Sequence, residues 1–127
     1  MNNLSHLNEW FEIERDFTND EMIWIAKLLS VDFPGVDILK VQVECSKVIG
    51  RCNCGCLSIY TKINEEVPLY PFDNRVPVEL EIIQYDQVPI MMFLHVVSGY
   101  IKELEVLRAD SEPIIERIKI EEAKVII

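Results

Sequence analysis

The chain lacks long hydrophobic runs. Its longest mostly apolar stretches are "VPIMMFLHVV" at 88–97 and "MIWIAKLL" at 22–29. Both are shorter than the roughly 20 residues that a transmembrane helix needs. The first residues, "MNNLSHLNEW", have neither the basic start nor the apolar core of a signal peptide. We therefore expect a cytoplasmic protein that has no membrane partner.

Cations are scarce. The 127 residues contain 12 Lys plus Arg against 22 Asp plus Glu, which gives a formal net charge of −10. Nucleic-acid binding depends on clustered Lys and Arg that contact phosphates, so we expect no nucleic-acid partner. The acidic balance suits a protein that meets a basic partner, and it also serves solubility alone.

Catalytic motifs are missing as well. The sequence has two histidines, His6 and His95, no phosphate-cradling glycine loop and no recognised nucleophile motif. His95 lies in "MMFLHVV", where a packed histidine is more common than a catalytic one. Glu79 and Glu81 could in principle act as acid and base, but a solvated strand face explains them better. We therefore expect no enzymatic activity and no cofactor.

The length fits a single domain over residues 1–127. Apolar residues at helical spacing predict helices in the first third of the chain. The capping residue of the second of these helices is Thr18 or Asn19. The three predicted helices span 4–17, 19–30 and 34–46.

The second half of the chain alternates between apolar and polar residues, which predicts strands. Short connections between the last strands indicate antiparallel neighbours. The apolar end "KVII" should dock on the sheet or on a partner chain. The expected fold is α+β, an antiparallel β-meander with N-terminal helices packed on one face. The predicted strands span 56–63, 76–85, 89–97 and 100–108.

Acidic residues form two candidate groups for partner binding. Strand alternation puts Glu79 and Glu81 on one side of their strand, and Glu103 and Glu105 on one side of another. If the two strands face the same way, four carboxylates share a surface that steers a basic partner by long-range attraction. The alternative is a solvated outer face. The second group lies in the long loop and consists of Glu65, Glu66 and Asp73.

Cysteines are concentrated in "RCNCGC" at 51–56, with Cys45 upstream. Structural zinc usually takes its ligands from two C-x2-C knuckles, and the C-x6-C-x-C-x-C spacing here does not provide them. In an extended segment, Cys52, Cys54 and Cys56 would be about 7 Å from one neighbour to the next. We interpret them mainly as small buried residues beside a tight turn. A metal-binding or regulatory protein that uses these three cysteines is the alternative function.

The order of several segments resembles a family of small bacterial proteins with a C-x-C-G-C segment. The segments are "DFPGVDILKVQVE", "VIGRCNCGCLSI", "VELEI" and "FLHVVSGYIKELEVLRADSEPI", and the likeness runs from Asp32 to Pro113. Some proteins of this type resemble immunity proteins of polymorphic toxin systems, including contact-dependent growth inhibition.

The resemblance implies a small, cytoplasmic, non-enzymatic protein. Such a protein binds one cognate toxin domain, often a basic nuclease, and blocks its active site or its substrate surface. The resemblance supplies no catalytic residues, and its cysteines correspond to Cys52, Cys54 and Cys56.

Overall fold

The computed structural model describes residues 9–52, 56–84 and 87–127. In this part of the chain, helices and strands combine in an α+β fold, which confirms the predicted class. The helices are α1 (Asn19–Leu28) and α2 (Val36–Glu44), and a 3₁₀ turn covers Ile120–Glu122. The strands are β1 (Glu9–Arg15), β2 (Ser46–Cys52), β3 (Ile59–Ile63), β4 (Val78–Ile83), β5 (Pro89–Val97), β6 (Tyr100–Arg108) and β7 (Lys124–Ile126).

The strands form one sheet in the order β1-β2-β3-β6-β5-β4-β7. Each neighbouring pair in that order is antiparallel. Strands β4, β5 and β6 form the predicted meander. The meander is interrupted after β3, because β3 pairs with β6 and the loop over 64–77 leads from β3 to the more distant β4.

The expected N-terminal position of the helices is not confirmed, because β1 precedes α1 and both helices lie between β1 and β2. Residues 9–15, which we assigned to a helix over 4–17, form β1 instead; residues 1–8 lie outside the described part. Pairing with β2 accounts for this difference, since strand formation depends on cross-strand partners more than on local spacing. Strand β2 was not predicted.

Helix α1 begins at the predicted cap. Thr18 Oγ1 accepts a hydrogen bond from the Glu21 backbone N–H at 3.1 Å, and Glu21 Oε1 accepts one from the Thr18 N–H at 2.9 Å. This reciprocal capping box satisfies two backbone donors that the first turn of a helix leaves unpaired. Arg15 holds the same carboxylate through two hydrogen bonds, at 2.9 and 3.2 Å.

The alternating residues of the strands separate into two faces. Residues that are buried form the inner face, for example Leu80, Met92 and Leu104. The buried side chains of α1 and α2 belong to the same hydrophobic cluster as these residues. The other face carries half-buried and exposed residues, and we call it the outer face.

Gln42 is a buried polar side chain that joins three distant segments. Its Nε2 donates to the carbonyl oxygens of Pro68 and Gly99, each at 2.8 Å, and its Oε1 accepts from the Ile101 N–H at 3.0 Å. Helix α2 is thereby fixed to the long loop and to the turn between β5 and β6. Such a network stabilises a fold only when its members are satisfied, as they are here.

Two hydroxyl groups extend the short pairing of β3 with β6. Ser58 Oγ accepts from the Val106 N–H at 2.8 Å and donates to the Val106 carbonyl oxygen at 3.2 Å. Thr61 Oγ1 donates to the Ile101 carbonyl oxygen at 3.3 Å. Side chains thus take over contacts that a longer strand pair would make through its backbone.

The C-terminal tail docks on the sheet, which is one of the two outcomes we expected. Strand β7 pairs with β4, and Ile114 and Ile118 are buried in the hydrophobic core on the way to it. Neither described helix has the length and apolar character that crossing a membrane requires.

Candidate binding face

The four strand carboxylates of the first candidate group lie on the outer face. Glu79 and Glu81 are on β4, Glu103 and Glu105 are on β6, and all four side chains are half-buried. The two strands therefore present their carboxylates on the same side of the sheet, and the four side chains share one surface. The two strands are not neighbours, however, because β5 lies between them.

Phe93 of β5 occupies the centre of this surface. It is paired across the sheet with Glu79 on one side and with Glu105 on the other. Neighbouring strands are about 4.8 Å apart, so the backbones that carry these two carboxylates are roughly 10 Å apart. The half-buried aromatic ring therefore lies between two negative side chains.

Met91 extends the apolar part of the outer face. It is paired with Glu81 on β4 and with Leu107 on β6. Met91, Phe93 and Leu107 make an apolar centre. The carboxylates of the outer face lie at the margins of this centre. An apolar centre with a charged rim is the usual layout of a protein-binding surface.

His95 lies on the outer face and is not packed into the core as we expected for a histidine in an apolar strand. Its Nε2 is 2.7 Å from Glu105 Oε1, and its Nδ1 accepts a hydrogen bond of 3.1 Å from Arg75 Nε. A guanidinium can only donate, so Nδ1 must be the unprotonated nitrogen. The proton consequently sits on Nε2 and points at the Glu105 carboxylate.

Glu103 adds a third group beside His95. The two residues face each other across β5 and β6. One ligand atom from each of His95, Glu103 and Glu105 lies within 4.8 Å of the others. Sequence reasoning missed this cluster, because it depends on a bulge between His95 and Val96 that shifts the register of the two strands.

The loop carboxylates of the second group have different surroundings. Glu65, Glu66 and Asp73 are exposed. Burial raises the pKa of the Cys45 thiol, and the nearby Glu65 carboxylate raises it further. A raised thiol pKa keeps Cys45 in the neutral form, which neither attacks electrophiles nor binds metals well.

Two cysteines of "RCNCGC" lie at the adjacent ends of the β2–β3 hairpin. Cys52 ends β2, Cys56 lies just before β3, and the Cys52 N–H donates to the Ser58 carbonyl oxygen at 3.1 Å. The extended segment that we assumed for their spacing includes residues 53–55, which lie outside the described part of the chain. Cys52 and Cys56 are half-buried cysteines, while Cys54 lies outside the described residues, so the metal alternative stays a prediction.

A cavity of about 650 Å³ adjoins this hairpin. Sequence reasoning did not predict this cavity, because segments far apart in the chain form it. Three of the five arginines line it, along with three carboxylates, so its charges balance. The charged lining residues are Arg15, Arg51, Arg117, Asp20, Glu21 and Glu116.

Comparison with protein-family models, curated proteins and solved structures gives no match for this chain.

Proposed function

We propose that this chain is an immunity protein. In this function it is a non-enzymatic cytoplasmic protein that binds a basic bacterial toxin domain and blocks the active site or the substrate surface of the toxin. The proposal agrees with the resemblance of residues 32–113. The observation that carries it is the outer face, where Phe93 and Met91 lie on β5 between half-buried carboxylates of β4 and of β6.

Electrostatic attraction supports the first step of binding. The chain carries a net charge of −10, and the outer face concentrates Glu79, Glu81, Glu103 and Glu105 on one side of the sheet. A field of one sign raises the association rate of an oppositely charged partner, and salt weakens this effect. The partner is therefore a domain whose docking surface is rich in Lys and Arg.

The apolar centre supports the second step. Phe93 and Met91 are half-buried in the free chain, so a partner that covers them removes their remaining apolar surface from water. Aromatic residues at the centre of an interface are frequent hot spots, and their truncation typically costs 2 kcal/mol or more, on the order of a thirtyfold change in affinity. We assign affinity mainly to this centre and speed of association mainly to the carboxylates around it.

Co-expression with the basic toxin domains that are encoded beside the gene tests the proposal. We expect one of them to co-purify with this chain as a stable complex and to lose its toxicity. If none of these domains forms a complex, the proposal is wrong.

Paired variants test the surface. Glu79→Gln combined with Glu81→Gln should slow association and reduce its dependence on salt, with little effect on dissociation. The matched control is Asp32→Asn combined with Glu44→Gln, which removes the same charge from exposed positions outside the outer face. If the control slows association equally, net charge and not the outer face attracts the partner.

A further inference from the structure

We infer that His95, Glu103 and Glu105 form a binding site for a divalent transition-metal ion, with Zn²⁺ as the reference ion. The inference is independent of the proposed function, because it concerns three side chains and needs no partner protein. Imidazole and carboxylate are among the ligands that zinc takes from proteins, and three protein ligands leave one position open to solvent.

The distances are close to those that a metal ion requires. Bond lengths of about 2.0–2.1 Å at tetrahedral angles put neighbouring ligand atoms roughly 3.3 Å apart. The three ligand atoms already lie within 4.8 Å of one another, and His95 Nε2 is 2.7 Å from Glu105 Oε1. Small side-chain rotations therefore bring them to bonding distance.

The backbone holds these ligands in place. His95 is on β5, and both glutamates are on β6, which is an inner strand of the sheet. His95 and Glu103 are cross-strand partners, and Glu105 follows on the same side of β6. A site on paired strands loses less conformational freedom on binding than a site on a loop.

Charge also favours a cation here. Two carboxylates on the same face of one strand repel each other, and a divalent ion neutralises both. Glu105 accepts the proton of His95 Nε2 in a hydrogen bond, so metal binding at Nε2 displaces this proton, which Nδ1 of the same neutral imidazole takes up.

Arg75 opposes the metal-bound state of His95. A histidine that binds metal through Nε2 carries its proton on Nδ1 and usually donates it to an acceptor. Nδ1 of His95 instead faces the Arg75 Nε–H at 3.1 Å, so the guanidinium must move away. The guanidinium can move while the loop over 64–77 stays attached to β5, because the Arg75 carbonyl oxygen accepts a separate hydrogen bond from the Val96 N–H.

Titration of the purified chain with Zn²⁺ in a calorimeter tests the inference. We expect the wild type to bind one equivalent, and His95→Ala and Glu103→Gln to weaken binding by at least about tenfold. The matched control is Glu79→Gln, which removes a carboxylate from the same face but not from the cluster. It should stay within about twofold of the wild type.

A second pair of variants tests the role of Arg75. Arg75→Met should tighten Zn²⁺ binding more than Lys102→Met does. Lys102 is the exposed neighbour of Glu103 in sequence, so the control removes the same charge without a contact to His95. Equal tightening by both variants would show that charge alone is responsible and would contradict the proposed rearrangement of His95.

Co²⁺ absorption distinguishes binding at this cluster from binding at the cysteines. The wild-type chain alone gives this readout, so it does not depend on whether a variant folds. Binding at the cluster gives visible bands without a sulfur-to-cobalt charge-transfer band, and His95→Ala removes them. Three results overturn the inference: no saturable binding, a sulfur-to-cobalt band that persists in His95→Ala, or equal weakening by Glu79→Gln. The last of these indicates diffuse attraction of cations to the acidic face.

Discussion

Replacing Gln42 with Met is expected to lower the free energy of unfolding by about 2–6 kcal/mol. Gln42 is fully buried, and its amide makes three hydrogen bonds, to the carbonyl oxygens of Pro68 and Gly99 and to the Ile101 N–H. Methionine has nearly the same length and volume. The substitution therefore removes the hydrogen bonds without opening a large cavity.

The magnitude follows from the groups that lose a partner. The Gly99 carbonyl oxygen keeps the Tyr70 N–H as a donor at 3.0 Å, so its loss is partial. The Pro68 carbonyl oxygen and the Ile101 N–H each lose the contact that the Gln42 side chain supplies. The buried Ile101 N–H that is left unsatisfied costs about 1–3 kcal/mol, and the hydrogen bonds lost at the exposed Pro68 and at Gly99 cost about 0.5–1.5 kcal/mol each, which together give the range stated.

Urea unfolding followed by circular dichroism measures this loss. The matched control is Lys40→Met, an exposed position on the same helix, where Lys and Met have similar helix propensities. The control should change the stability by less than about 0.5 kcal/mol. A loss below about 1 kcal/mol for Gln42→Met would mean that these polar groups are satisfied without the side chain, and the assigned role of Gln42 would be wrong.

Three further predictions concern single contacts. Ser58→Ala should cost about 1–3 kcal/mol and speed hydrogen exchange of the Val106 amide, because its Oγ is the acceptor for that N–H. Thr18→Ala should cost about 0.5–2 kcal/mol in thermal unfolding, since it removes half of the capping box. Hydrogen bonds from Arg108 and from a backbone N–H lower the pKa of Asp110 from 3.8 to about 2, so its carboxylate stabilises the fold above pH 3.8. Asp110→Asn should therefore destabilise the protein at pH 7, and the difference from wild type should shrink as the pH falls from 3.8 to about 2.

The elements with clear local signals were predicted from the sequence. Strands β5 and β6 lie where the apolar run and the alternating run placed them, and α1 begins after the predicted cap Thr18. Strands β1 and β2 were missed for a physical reason. Two of the inner positions of β2 are Ser46 and Gly50, which carry no apolar signal, and β1 exists through its pairing with β2.

The candidate face was predictable only in part. Alternation showed that Glu79 and Glu81 share one side of a strand, and likewise Glu103 and Glu105. It did not reveal that Phe93 lies between the two strands, because strand order depends on contacts between residues far apart in the chain. Neither did it reveal the contacts of His95.

The proposed function requires that the outer face of the sheet docks a basic partner. Amide chemical-shift mapping by NMR, on the labelled chain with and without the toxin domain that co-purifies with it, locates the docking surface. We predict that the largest changes centre on Phe93 and spread to Glu79 and Glu105. Changes that leave these residues unaffected and concentrate at the cavity around Arg51 and Arg117 would contradict docking at the outer face.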